Sequence, residues 1–122
     1  MAPKALARTC CKLALDKKAQ DVVIIDLRKL NAPTDYFVIC SGAVDRQIKA
    51  IADNIVEGTA EKGYKPWHVE GYGPLRWVLI DYVDVVVHIF NEETRRFYSL
   101  ETLWGDAPLE RIEAKKPRTR VK

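Results

Sequence analysis

Two hydrophobic periods alternate along the chain. "DVVIIDL" (21–27) and "YFVICS" (36–41) are short, almost continuous runs of apolar and β-branched residues, a pattern that suits strands covered on both faces. Between them "NAPTD" (31–35) is loop chemistry, with Pro33 pushing Ala32 into extended backbone, and Gly42 closes the second run. Residues 46–62 change period, setting Ile48, Ile51, Ala52, Ile55, Val56 and Thr59 on one helical face. Asp45 stands where it would N-cap that helix and Gly63 where it would end it. Gly58 inside it costs about 1 kcal/mol relative to alanine, which close packing would justify. An earlier helix over 4–18 carries a narrower stripe, Leu6, Cys10 and Leu13, with Lys17 and Lys18 near its end.

The second half reads as strands. "KPWHVEG" (65–71) is a short one entered through Pro66, "YGP" (72–74) is a turn, and "RWVLID" with "DVVVHIF" forms a strand pair. The expected order is helix, strand, strand, helix, strand, strand, strand, then a short C-terminal helical piece. This is α/β organisation in one domain: a small mixed sheet with helices packed on it.

Charge divides the chain unevenly. Residues 109–122 hold six bases and two acids, a balance of +4, whereas residues 1–108 hold 14 bases and 15 acids. The expectation is a folded body over 1–108 and a basic, flexible tail over 109–122, able to touch phosphate loosely or merely to aid solubility. At 48% hydrophobic and 30% charged residues, the composition is that of a soluble globular protein. No apolar run nears the roughly 20 residues that span a bilayer, and "MAPKALARTCCKLALDKK" lacks a secretory signal, so no membrane contact and a cytoplasmic address are expected. Cys10, Cys11 and Cys40 are an odd set without C-x-x-C spacing; packed, reduced thiols are expected rather than disulfides or a metal site.

The sharp chemistry is in "RWVLIDYVDVVVHIF" (76–90), where Asp81, Asp84 and His88 interrupt an apolar stretch. Paired carboxylates that hold a metal ion for nucleotidyl transfer need one strand face, hence a separation of two residues. Here it is three, with Tyr82 and Val83 between, which fits acids flanking a turn. A nucleotide-binding or nucleotidyltransferase-like enzyme using Asp81 and Asp84 is the alternative reading. His88 shares a face with Val86 and Phe90, either as a hydrogen-bonded structural residue or as a contact residue. Trp77, Tyr82, Phe90, Phe97, Tyr98 and Trp104 crowd the same region, and such rings both fill cores and anchor interfaces.

In that order, "DYFVICSG", "RQIKAIADNI", "WVLIDYVDVVVHIF" and "FYSLETLWGDAP" resemble the ribosomal silencing factor family, also called Iojap-like, over about residues 6–108. The resemblance implies a nucleotidyltransferase-like core without catalytic residues, with no cofactor and no metal. It also implies binding to the large ribosomal subunit through ribosomal protein fourteen, on the face where the small subunit docks. Translation would thereby fall when nutrients are short. The basic tail would add loose ribosomal RNA contact, and the free protein would be able to form a homodimer. By position, Trp77, Asp81, Tyr82, Asp84 and His88 are the expected partner-binding residues, projecting outward, while Phe90, Leu100 and Leu103 are expected to fill core. Val83 stands where the family usually has glycine, and because a β-branched residue resists positive φ, a different turn is expected there.

Overall fold

The computed structural model describes residues 1–114. Ten elements follow in chain order: α1 (Pro3–Leu15), β1 (Gln20–Asp26), β2 (Tyr36–Gly42), α2 (Asp45–Glu61), β3 (His68–Glu70), β4 (Trp77–Asp81), β5 (Val85–Asn91), α3 (Glu92–Tyr98), α4 (Leu100–Leu103) and β6 (Leu109–Ile112). The strands form one sheet in the order β3-β4-β5-β2-β1-β6. Only β2 and β5 run parallel; the other neighbours are antiparallel.

The helices α1 and α2 cover one face of the sheet. Leu6, Ala7, Cys10, Cys11 and Ala14 of α1 are buried, a broader face than the expected stripe, with Leu13 only partly so. The helix also stops at Leu15, short of Lys17 and Lys18. It lies close to α2 because Gly58 has no side chain: a Cβ there would sit 2.5 Å from Leu13 Cδ2. The N-cap of α2 is Val44, and its side chain makes no capping bond. Asp45 is instead the first helical residue, where its charge complements the helix dipole. Gln47 joins the two helices, accepting from the Ala43 N–H at 2.6 Å and donating to the carbonyls of Lys17 and Lys18 at 3.1 and 2.9 Å.

The opposite face is covered over only part of its width. Val23, Ile25, Leu27, Ile39, Phe90, Leu100 and Ala107 form a second, smaller core there. Asn91 caps α3 by accepting from the Thr94 N–H at 2.8 Å. Buried Arg95 then fastens α3 down, donating to Glu101 Oε2 from Nε and Nη2 at 2.9 and 2.7 Å and to Ser41 Oγ from Nη1 at 2.8 Å. Arg95 is buried and multiply bonded while Glu101 is partly exposed, so removing Glu101 would leave the buried guanidinium short of its charged partner.

Two further expectations need correction. The folded body does not end at 108: Leu109–Ile112 pair with β1 in the register Ile25↔Leu109 to Val22↔Ile112. The charge count concealed this strand because Glu110 and Arg111 are edge-strand charges, and Glu110 binds Arg8 of α1 at 3.1 Å. The bases from Lys115 onward lie outside the described residues. The β4–β5 turn also differs from expectation, for Val83 does adopt positive φ, at 76°. Across it the Asp84 N–H bonds to the Tyr82 carbonyl at 3.0 Å, a tight turn of the rarer, strained hand.

Candidate docking face

Side chains alternate along a strand, so one face of the β4–β5–β2 region carries Trp77, Leu79 and Asp81, then Val86, His88 and Phe90, then Phe37 and Ile39. The register sets Leu79 opposite His88 and Asp81 opposite Val86, with Phe37 alongside Val86 on the third strand. The helices α3 and α4 leave this end open. What remains is a groove of about 460 Å³. Phe37, Leu79, Val86 and His88 line it from the sheet, while Pro33, Thr34, Trp67, Asp81 and Val83 come from the flanking loops and strand ends.

His88 is only 4% exposed. Its Nδ1 lies 3.0 Å from Trp77 Nε1. An indole N–H can only donate, so Nδ1 must hold the lone pair, and the neutral imidazole must carry its proton on Nε2. Burial reinforces the neutral form, pushing the pKa down to about 3. The ring packs edge-on to Phe37, with centroids 4.4 Å apart. Among the described residues Nε2 has no hydrogen-bond partner, and neither does Thr34 Oγ1, a second buried polar atom on a groove-lining residue.

The expected contact residues separate once placed. Asp81 and His88 line the groove. Half-buried Trp77 stands behind His88, packed on Phe90 and Tyr98 at 4.9 and 4.7 Å. His88 and Trp77 therefore do not project outward. Tyr82 points to the helix side, its hydroxyl 2.7 Å from Thr59 Oγ1, and burial raises its pKa to about 12. Asp84 is exposed beside the groove, and its backbone carbonyl accepts from Asp35 and Tyr36. Asp81 is a turn former, with Oδ1 accepting from the Val83 N–H at 2.7 Å. At this three-residue spacing the Asp81 carboxylate serves the turn, and Asp84 takes part in it through its backbone. Among the described residues, no group of three or more His, Cys, Asp or Glu is placed to hold a metal ion. His68 pairs with Glu70 at 2.7 Å on the exposed edge strand.

Other members of this face were not among the expected contacts. Trp67 is 76% exposed at the groove rim. Phe97 and Leu103 are 79% and 70% exposed on the short helices. Leu103 therefore does not fill core, whereas Phe90 and Leu100 do. A chain of ring contacts links the groove to the helices: Phe37 to Trp104, His88 to Trp77, Trp77 to Tyr98, and Tyr98 to Phe97. Trp67, Phe97, Tyr98 and Leu103 are large apolar side chains left open to solvent, the kind of residue that marks a contact surface.

A family model described as "Ribosomal silencing factor during starvation" matches residues 1–122. The chain is 41% identical over 109 residues to a Bacillus subtilis protein named ribosomal silencing factor RsfS, covering 89% of this chain and 92% of that one. A Halalkalibacterium halodurans protein of the same name is 44% identical over 98 residues, 80% of this chain and 84% of the relative. The chloroplastic protein Iojap of Zea mays is 35% identical over 107 residues, 87% of this chain but 46% of that longer protein. The fold is similar to a crystal structure of a Chromobacterium violaceum protein, with TM-score 0.83, 29% identity, and coverage of 100% of this chain and 95% of the other.

Proposed function

The chain belongs to the ribosomal silencing factor family, and from that premise we propose that it represses translation by docking on the large ribosomal subunit through ribosomal protein fourteen. The open sheet face, from Trp67 across the groove to Phe97 and Leu103, is the surface that engages the partner. The observation carrying this reading is the connected apolar face that α3 and α4 leave uncovered. Large aromatic side chains supply contact area at low entropic cost, which suits them to anchor an interface.

The mechanism is steric exclusion, without catalysis. A protein seated where the small subunit must dock prevents joining in proportion to its occupancy, which is set by its concentration and affinity. Nutrient limitation is the proposed condition of action and the cytoplasm the proposed site. No helix among the described residues is long and apolar enough to cross a membrane. The basic residues after Ala114 add loose contact with ribosomal RNA. Without ribosomes the same apolar face pairs two copies, which light scattering at several concentrations would register.

Co-sedimentation with isolated large subunits tests the proposal. The protein is expected in the pellet at micromolar concentration. Addition of small subunits after it is bound should yield fewer joined particles. Protein that stays in the supernatant at low salt would overturn the reading.

A further inference from the structure

Two residues that line the groove, His88 and Thr34, each bury a polar atom that has no hydrogen-bond partner among the described residues. Leaving a buried polar group unmet is costly, so His88 Nε2 and Thr34 Oγ1 need a reason to be there. Their chemistry is specific. With Trp77 donating to Nδ1, His88 presents Nε2–H, which can only donate. An apolar occupant alone would bury this N–H further without a partner. The occupant must therefore bring an acceptor.

Charge narrows the acceptor. Asp81 lines the groove, Asp84 is exposed next to the turn, and among the described residues no lysine or arginine lines the groove. A carboxylate or phosphate would be repelled here, so a neutral carbonyl is favoured. The surrounding walls, Phe37, Leu79, Val86 and Trp67, call for an apolar body beside it. The exposed rings run on beyond the groove to Phe97, which extends the contact past the footprint of a small molecule.

We propose that the groove seats an apolar side chain from a loop of the ribosomal protein partner, whose backbone carbonyl accepts a hydrogen bond from His88 Nε2–H. This rests on the docking reading above. Trp77 acts as a positioning residue: its indole fixes the tautomer that makes His88 a donor. Thr34 Oγ1 offers a second bond, as donor or acceptor, to the same backbone segment. Partner choice then comes from a defined donor within an apolar slot. An acidic side chain is rejected, and so is a purely hydrocarbon surface.

The test uses full-length protein labelled with nitrogen-15 in histidine and isolated ribosomal protein fourteen. Binding should move the His88 Nε2–H resonance and slow its exchange with water, while Nδ1 stays unprotonated. The variant Val86→Trp, which fills the groove and leaves His88 and Trp77 in place, should bind at least tenfold more weakly. If the partner binds but the Nε2–H signal is unchanged, or if a folded Val86→Trp binds as well as wild type, the groove proposal is overturned and docking stands. If wild type binds neither isolated protein nor large subunits, both fall. Protection in the self-associated free protein that added ribosomal protein neither displaces nor changes would assign the groove to a second copy instead, and would also overturn the proposal. Should Val86→Trp fail to fold, the wild-type resonance decides the question alone.

Discussion

Val83 occupies a conformation that its side chain disfavours. At φ 76°, a residue with a Cβ is strained by about 1–3 kcal/mol, and the side chain is 57% exposed, so little burial offsets this. Glycine adopts such backbone freely but loses about 0.5–1 kcal/mol of chain entropy on folding. Val83→Gly should therefore stabilise the protein by about 1 kcal/mol and raise its melting temperature by a few degrees. A fall in melting temperature would show that contacts of Val83 outweigh the strain. His88 makes a second prediction. Its folded pKa of about 3 lies below the ordinary value near 6.5, so between these pH values the unfolded chain binds a proton that the folded one does not. Its contribution is complete above pH 6.5 and is lost as pH falls toward 3, by at most about 1.4 kcal/mol per pH unit. Denaturant unfolding at pH 6 and pH 4 should show a steeper loss in wild type than in His88→Gln. Parallel losses would mean that the fold does not hold His88 neutral and that burial does not depress its pKa. Of the expected contact residues, Tyr82 was the one that alternation itself argued against. It directly follows Asp81 on the chain, so the two had to face opposite sides unless the turn intervened. The donor role of His88 was not legible, because it depends on a cross-strand partner 11 residues away.

The elements were legible in proportion to how fully each is buried. The strands β1 and β2 lie beneath helices on one face and, in large part, the second core on the other, and their unbroken apolar runs announced them. The wide face of α2 did the same, and Gly58 was rightly read as a packing glycine because Leu13 fills the space a Cβ would need. The strand β6 is the opposite case. Its four residues, Leu109–Ile112, set two adjacent charges between aliphatic side chains at a sheet edge, and neither a hydrophobic run nor a turn signal marks it. The groove was hidden for a related reason: Thr34, Phe37, Trp67 and Val86 meet only through strand order, which periodicity does not encode. The strand β6 yields its own prediction. A chain ended after Ala114 should keep the melting temperature of the full chain. One ended after Pro108 should lose at least about 2 kcal/mol, since it forfeits several backbone hydrogen bonds to β1, each contributing about 0.5–1.5 kcal/mol net. The exposed Arg8–Glu110 and Lys4–Glu110 pairs add little to that figure. Equal melting temperatures for the two truncations would return the boundary to 108.

At the scale of the whole molecule, the two kinds of proposed ribosome contact should separate by their response to salt. The sheet face is apolar, and a neutral acceptor on His88 adds no charge to it. The chain beyond Ala114 carries five bases, Lys115, Lys116, Arg118, Arg120 and Lys122, suited to phosphate. Counterion release makes phosphate contacts fade steeply as salt rises, whereas burial of apolar surface does not weaken in this way. Trp67 is the cleanest probe of the face, because at 76% exposure it contributes little to folding. Trp67→Ala should weaken binding to large subunits by roughly tenfold or more, the loss typical of an aromatic anchor, and by the same factor at low and high salt. Truncation after Ala114 should weaken binding modestly at low salt and scarcely at all at high salt. Co-sedimentation of the two variants across a salt series reads both effects. If the Trp67→Ala defect disappeared as salt rose, or the truncation abolished binding at every salt concentration, the affinity would reside in the basic segment and the apolar face would need another occupant.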